Sequence, residues 1–416
     1  DVMKSMVKIL TITVLILNGL QSLEAQNKKG FTLDVVKEYH RKFEYPMNEW
    51  FGKGDFTRYV YLNMPEFWFH TPLQRNASNP VLELPNKPNE QLAEHLVNHM
   101  GNQYPLQEYV LKNPIDGLII LHKGAIVFEE YPQMFPYQRH AWFSVSKTFV
   151  SAAVALLEDH GKLDVKLPVG AYLSELKGTD WETIPVIDLL DMASGIQIKD
   201  NYADADGPFM TFYNQLGFPR IDRSIDNPIN GLKHFKSNRK SGEKWVYNSL
   251  NTEILAWMVE EIANEPFSKF IEREIWQKMG AESDGLIIHT PSGNTFNAAG
   301  ISAILRDLAR YGFLYTPTGR KEIPGVISSI YIDKIQNGGR AELTSQEKEV
   351  YSHATYQWDR VFADGSFMKY GAGGQGLFIS PTHDLVIAYF GNEAIGESHE
   401  LLTISQQLVA AGFFDK

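Results

Sequence analysis

The chain has 416 residues, 44% of them hydrophobic and 21% charged, the composition of a globular protein of roughly two to three domains. A formal net charge of −11 argues against a nucleic-acid partner, because phosphate recognition needs a basic surface. Without cysteine there is no disulfide, thiol nucleophile or zinc–thiolate site, and the 12 histidines show no metal-ligand spacing, so neither a metal nor another cofactor is expected.

Taken in chain order, residues 1–25 read as an export signal. Lys4 and Lys8 form its basic end, Ile9 to Leu17 its apolar run, and Ala25 the small residue before a cut. No later run of about 18 apolar residues occurs, so no membrane span is expected. An exported chain without disulfides fits a bacterial periplasm or secretion from a bacterium. Residues 26–107 are polar, Pro-rich and irregular, an extension expected to pack on the core, with one helix around Leu33–Phe43. The main domain is expected over 108–416. It opens with a hairpin, Leu118–Leu121 and Ala125–Phe128 about His122-Lys123-Gly124.

An apolar helix follows from Ser144. Phe149, Ala152, Ala153, Leu156 and Leu157 keep its i, i+3, i+4 stripe, and Gly161 stops it. Thr183 and Pro185 start a second helix that should run to Gly195. Residues 197–245 form a long irregular stretch rich in aromatic residues. Helices are expected at Leu250–Asn264, Phe267–Met279 and Ile301–Phe313. A second hairpin is expected at Gly376–Ile379 and Leu385–Phe390, and a closing helix at His399–Ala411. Strands thus lie early and late, with helices between. The simplest assembly is an α/β fold with one antiparallel sheet built from both chain ends, flanked by terminal helices, and an inserted, mostly helical lobe at about 190–290.

Ser144-Val145-Ser146-Lys147 carries the chemistry. The spacing i, i+3 puts a hydroxyl and an amine on one helical face, and in a dry pocket the amine can lose its proton and take that of the serine. Ser-x-x-Lys also begins at Ser5, Ser174, Ser237, Ser241, Ser345 and Ser366, but only Ser144 has apolar residues on both sides to shelter the pair. The alternative is a helix-capping serine beside a solvated lysine. Tyr247-Asn248-Ser249 precedes an apolar helix and offers Tyr247 as a proton relay, provided that cationic neighbours depress its pKa. The run Ala372-Gly373-Gly374-Gln375 enters a strand. The N–H of Gln375, with that of Ser144, would form an oxyanion hole.

These residues resemble the serine β-lactamase-related hydrolases: class C β-lactamases, D,D-peptidases, esterases of that fold and, nearest, the 6-aminohexanoate-dimer hydrolases. The resemblance rests on Gly117–Ile120, Trp142–Lys147, Ile187–Gly195, Tyr247–Ser249, Leu305–Gly312 and Gly373–Gln375. It implies a β-lactamase/transpeptidase-like fold, with Ser144 as nucleophile, Lys147 as base, Tyr247 as relay and the two oxyanion N–H groups. It also implies a cleft lined by Tyr202, Tyr213, Ser249, Ala372, Gly373 and Gly374. Two departures stand out. Ser249 replaces the Asn found in many relatives, and Ala372 stands where lactamases and peptidases carry the Lys or His that binds the substrate carboxylate. Lys369, three residues earlier, is expected on another part of the strand approach and not as a substitute. The function expected is hydrolysis of a small-molecule ester or amide. A penicillin-recognising enzyme and a non-catalytic ligand-binding protein are the alternatives.

Overall fold

The computed structural model describes residues 30–43, 51, 53–202, 204, 206–216, 228–344, 351–393 and 400–415. The export signal expected at 1–25 lies outside the described residues. A seven-stranded antiparallel sheet forms the centre, in the order Ala125–Glu130, Ile115–His122, Leu385–Gly391, Gln375–Ser380, Phe367–Gly371, Trp358–Val361 and His353–Thr355. Both expected hairpins are present, and the first is zipped to the second, with Ile120 opposite Ile387. The sheet therefore joins the two ends of the chain.

Alternation along the strands gives the sheet two apolar faces. Leu118, Ile120, Phe378, Leu385 and Ile387 face one core, capped by Leu401, Ile404 and Leu408 of the helix Glu400–Ala410. Ile119, Leu121, Leu377, Ile379, Val386 and Ala388 face the larger core, where Leu305 and Leu308 of the helix Leu305–Phe313 cover them. Among the described residues no strand forms between Ala141 and Gly285. Helices fill that stretch, the longest being Lys147–Asp159 and Ser249–Ala263. No helix of the described residues is long and apolar enough to cross a membrane.

Several elements differ from expectation. The helix expected at Ile301–Phe313 is split: Ile301–Ala303 is a strand and the helix starts at Leu305. Pairing with Gly285–Ile288 on one side and His140–Ala141 on the other captures it, and His70–Leu73 completes this second, four-stranded sheet. Tertiary hydrogen bonding outweighs an ambiguous apolar run. The helix after Thr183 covers only Val186–Leu190, without a side-chain cap, because Met192 turns left-handed at φ 52°. Phe267–Ile271 is α-helical but continues as a π-helical turn over Glu272–Trp276. The irregular stretch holds the helices Pro208–Gln215 and Ile229–Leu232. Residues 26–107, expected to be irregular but for a helix around Leu33–Phe43, hold that helix at Leu33–Lys42 and also the helix Asp55–Leu62, whose Tyr61 is fully buried in the larger core.

Candidate active site

The turn that carries Ser144 is held from three sides. His140 opens it, with one ring nitrogen 2.9 Å from the Asp116 carboxylate and the other 2.9 Å from the Ala141 carbonyl. Trp142 N–H donates to the Ile301 carbonyl at 2.9 Å, and the Ser146 hydroxyl accepts from Ile301 N–H at 3.1 Å. Phe143 sits at φ 44°, a conformation that costs a bulky residue about 1–3 kcal/mol. Its ring packs edge-on against Tyr61 at 4.7 Å and Phe51 at 5.0 Å. The N-terminal segment thus braces the residue before the serine.

Phe143–Ser146 is a 3-10 turn, and the α-helix begins at Lys147. In a 3-10 turn residues i and i+3 eclipse, so Ser144 and Lys147 meet more directly than on an α-helix. Lys147 Nζ lies 3.1 Å from Ser144 Oγ and donates to the Ala298 carbonyl at 2.9 Å. Its side chain is fully buried. Burial first, then the neighbouring Lys369 charge, brings Lys147 down to about 7. Glu253 supports this arrangement from behind. Its carboxylate accepts Ala298 N–H at 3.0 Å and Asn297 N–H at 3.1 Å, fixing the loop whose carbonyl holds the lysine. Burial raises Glu253 to about 7.

Tyr247 arrives from the segment before the helix Ser249–Ala263, and its phenol lies beside the Ser144 hydroxyl, which favours its charged form. Lys147 Nζ is 5.2 Å from its ring centroid. The expected depression of its pKa is not found. Burial, followed by the Asp359 and Asp200 charges, pushes the phenol well above its ordinary value despite the cations beside it. Lys369 also departs from expectation. Its Nζ is 4.9 Å from the same ring centroid, and it is fully buried against Asp359 at 2.5 Å. The two-residue period of the strand explains this: Lys369 and Gly371 share a face, and Gly371 abuts the Ser144 turn.

That contact is tight. A Cβ on Gly371 would lie 2.6 Å from the Trp142 carbonyl and 3.1 Å from Ser144 N. Gly371 is paired in register with Gln375 across the turn Ala372-Gly373-Gly374, whose glycines have φ of 80° and 92°. The Gln375 side chain pins this turn, donating to the Ala372 and Gly391 carbonyls at 3.2 and 3.1 Å and accepting Gly391 N–H at 3.0 Å. Ala372 is part-exposed, whereas Gly373 and Gly374 are buried.

The remaining sequence candidates lie on the loop side. Ser249 is buried, and both its N–H and its hydroxyl go to Asp200, at 2.8 and 2.5 Å. Tyr202 is part-buried between Phe51 and Phe209, with its phenol beside Ser249 and Asp200. Tyr213 is 2% exposed among Phe209, Phe212 and Phe296, a core position. A cavity of about 420 Å³ borders Ile198, Asp200, Asn201 and Phe209. Sequence reasoning missed Asp200, Asp359, Glu253 and the Ala298 carbonyl. Lone acids in a loop, strand or helix leave no local signal, and a backbone carbonyl leaves none at all.

Comparison with known proteins bears on this geometry. The β-lactamase family profile matches residues 112–411. A 6-aminohexanoate-dimer hydrolase of Paenarthrobacter ureafaciens is 28% identical over 289 residues, 68% of this chain and 74% of that one. A Bacillus anthracis protein assigned to the 6-aminohexanoate-dimer hydrolases superposes with a TM-score of 0.75 at 22% identity, covering 87% of this chain and 94% of that one. A class C β-lactamase shares the fold at a TM-score of 0.53 and 14% identity, covering 75% and 95%. The family profile spans the seven-stranded sheet together with Ser144, Lys147 and Tyr247, and on that match the chain belongs to the β-lactamase family.

Proposed function

We propose that this protein is an exported serine hydrolase that cleaves a small ester or amide through an acyl-enzyme on Ser144. The observation that carries the reading is Lys147: a dry amine 3.1 Å from the Ser144 hydroxyl and close to neutrality at about pH 7. Neutral Nζ takes the Ser144 proton as Oγ attacks the carbonyl carbon. The Ser144 and Gln375 N–H groups receive the oxyanion. Tyr247, protonated because of its burial, donates its proton to the leaving atom and is refilled from the Lys147 ammonium. Water then enters by the reverse relay, and the acid is released as Ser144 regains its proton.

Relatives named as 6-aminohexanoate-dimer hydrolases support amide or ester chemistry over β-lactam chemistry here. So does Ala372, which offers no cation for a substrate carboxylate. The test is hydrolysis of p-nitrophenyl acetate together with a fluorophosphonate mass label. Ser144→Ala should lose both, and Lys147→Ala should lose most labelling. Wild-type turnover in Ser144→Ala would end this reading, and acylation by micromolar penicillin would transfer it to the β-lactamase or D,D-peptidase alternative.

A further inference from the structure

The reaction just described makes no use of Asp116, a carboxylate without exposed surface at the start of the strand Ile115–His122. Both of its oxygens are committed. Oδ2 lies 2.9 Å from His140 Nε2, and Oδ1 accepts the Asn392 side-chain N–H at 2.6 Å. His140 and Asn392 are themselves buried. A carboxylate in a dry site is costly unless its hydrogen bonds are complete, and a completed network fixes the groups that it joins. What Asp116 joins is the two halves of the oxyanion hole.

We propose that Asp116 is a positioning residue for the oxyanion hole: through His140 on one oxygen and Asn392 on the other, it sets the separation of the Ser144 and Gln375 N–H groups. The inference rests on the nucleophile and oxyanion donors assigned above. One arm runs to Ser144. His140 heads its turn, with Nδ1 2.9 Å from the Ala141 carbonyl. Each ring nitrogen faces an oxygen, so one proton lies on each of the two lines. The ring is also stacked on Phe390 at 4.6 Å, and it cannot turn without breaking both contacts. The other arm runs to Gln375. Asn392 follows Gly391, whose N–H and carbonyl are both held by the Gln375 side chain, at 3.0 and 3.1 Å. Asn392 N–H donates to the Pro114 carbonyl at 3.1 Å, and Glu393 N–H to the Gly373 carbonyl at 3.0 Å. The contact of Gly371 with the Ser144 turn limits how near the two halves can come, and the Asp116 bridge limits how far apart they can move.

Pre-steady-state acylation by p-nitrophenyl acetate tests this, because it separates the acylation rate from ester binding. Asp116→Ala cuts both arms. Asn392→Ala cuts only the Gln375 arm and leaves the Asp116–His140 contact in place, so it serves where Asp116→Ala does not fold. Either folded variant should acylate about 10- to 100-fold more slowly, with the dissociation constant of the ester within about twofold of wild type. Inhibition by phenylboronic acid, whose tetrahedral adduct uses the same N–H groups, should weaken by about the same factor. Asp116→Asn should restore acylation to within about threefold, since its carboxamide can accept from Asn392 and donate to a neutral His140. Asp116→Ala/Asn392→Ala should be no slower than Asp116→Ala alone, because the two residues act along one path. Unchanged acylation in folded Asn392→Ala, failure of Asp116→Asn to restore it, or a loss confined to ester binding would each overturn the proposal. Wild-type turnover in Ser144→Ala would instead remove the underlying reading, so the two failures are distinguishable.

Discussion

Ser249 gives both its N–H and its hydroxyl to Asp200, at 2.8 and 2.5 Å, and so has no hydroxyl proton to offer a substrate. Ser249 is thus tied to a loop carboxylate, which also favours the charged form of Lys147. Asp200→Asn should break the paired geometry and remove that charge. The rising limb of the activity profile should move to lower pH, and kcat should fall by about tenfold as Ser249 reorients. A limb displaced upward would show that Asp200 does not act on the base.

Two buried groups titrate near about pH 7 from opposite directions, and this gives a stability profile with a defined shape. Glu253 is raised from 4.5 to about 7, so the folded protein binds the extra proton between those values and stability falls as pH rises through them. Lys147 is lowered from 10.5 to about 7, so the unfolded chain binds the extra proton above 7 and stability rises from there towards 10.5. Denaturant midpoints measured across pH should show the rising branch flattened in Lys147→Met. They should show the falling branch flattened in Glu253→Gln, which also sets an amide N–H against the Asn297 or Ala298 donors and costs about 1–3 kcal/mol. Activity should rise as Lys147 deprotonates, with its half-maximum near pH 7.

Gly371→Ala tests the close approach of strand and nucleophile. The added carbon would fall 2.6 Å from the Trp142 carbonyl and 3.1 Å from Ser144 N, so the turn must retreat. A displacement of that kind costs about a hundredfold in kcat while the circular dichroism spectrum of the fold is kept. Full activity would mean that the turn is free to give way.

Among the described residues the buried Tyr61 hydroxyl has no hydrogen-bond partner, and a Cβ on Gly373 would lie 2.5 Å from it. Tyr61→Phe keeps the ring contact with Phe143 and removes an unpaired polar atom. Thermal unfolding should shift upward, by about 1 kcal/mol of stability, with kcat unchanged. A lowered Tm would reveal that the hydroxyl has a role in the folded protein.

Local patterns are what the sequence by itself determined. Ser144 and Lys147 are three residues apart in an apolar context, the two hairpins follow from period-two runs bounded by turn residues, and the occurrence of strands at both ends dictated a shared sheet. These readings survive because backbone periodicity and short-range sterics depend on neighbours in the chain. Tertiary structure alone decided the electrostatics and the second sheet. Asp200 reaches Ser249 from 49 residues away, Ala298 meets Lys147 across 151, and Lys369 faces Tyr247 because a strand's alternation was resolved only when Gly371 docked on the Ser144 turn. The phenol of Tyr247 rises where nearby lysines alone would lower it, because desolvation and the Asp359 and Asp200 charges sum over the whole fold. Such sums have no representation in any window of sequence, since they depend on which distant groups exclude water together.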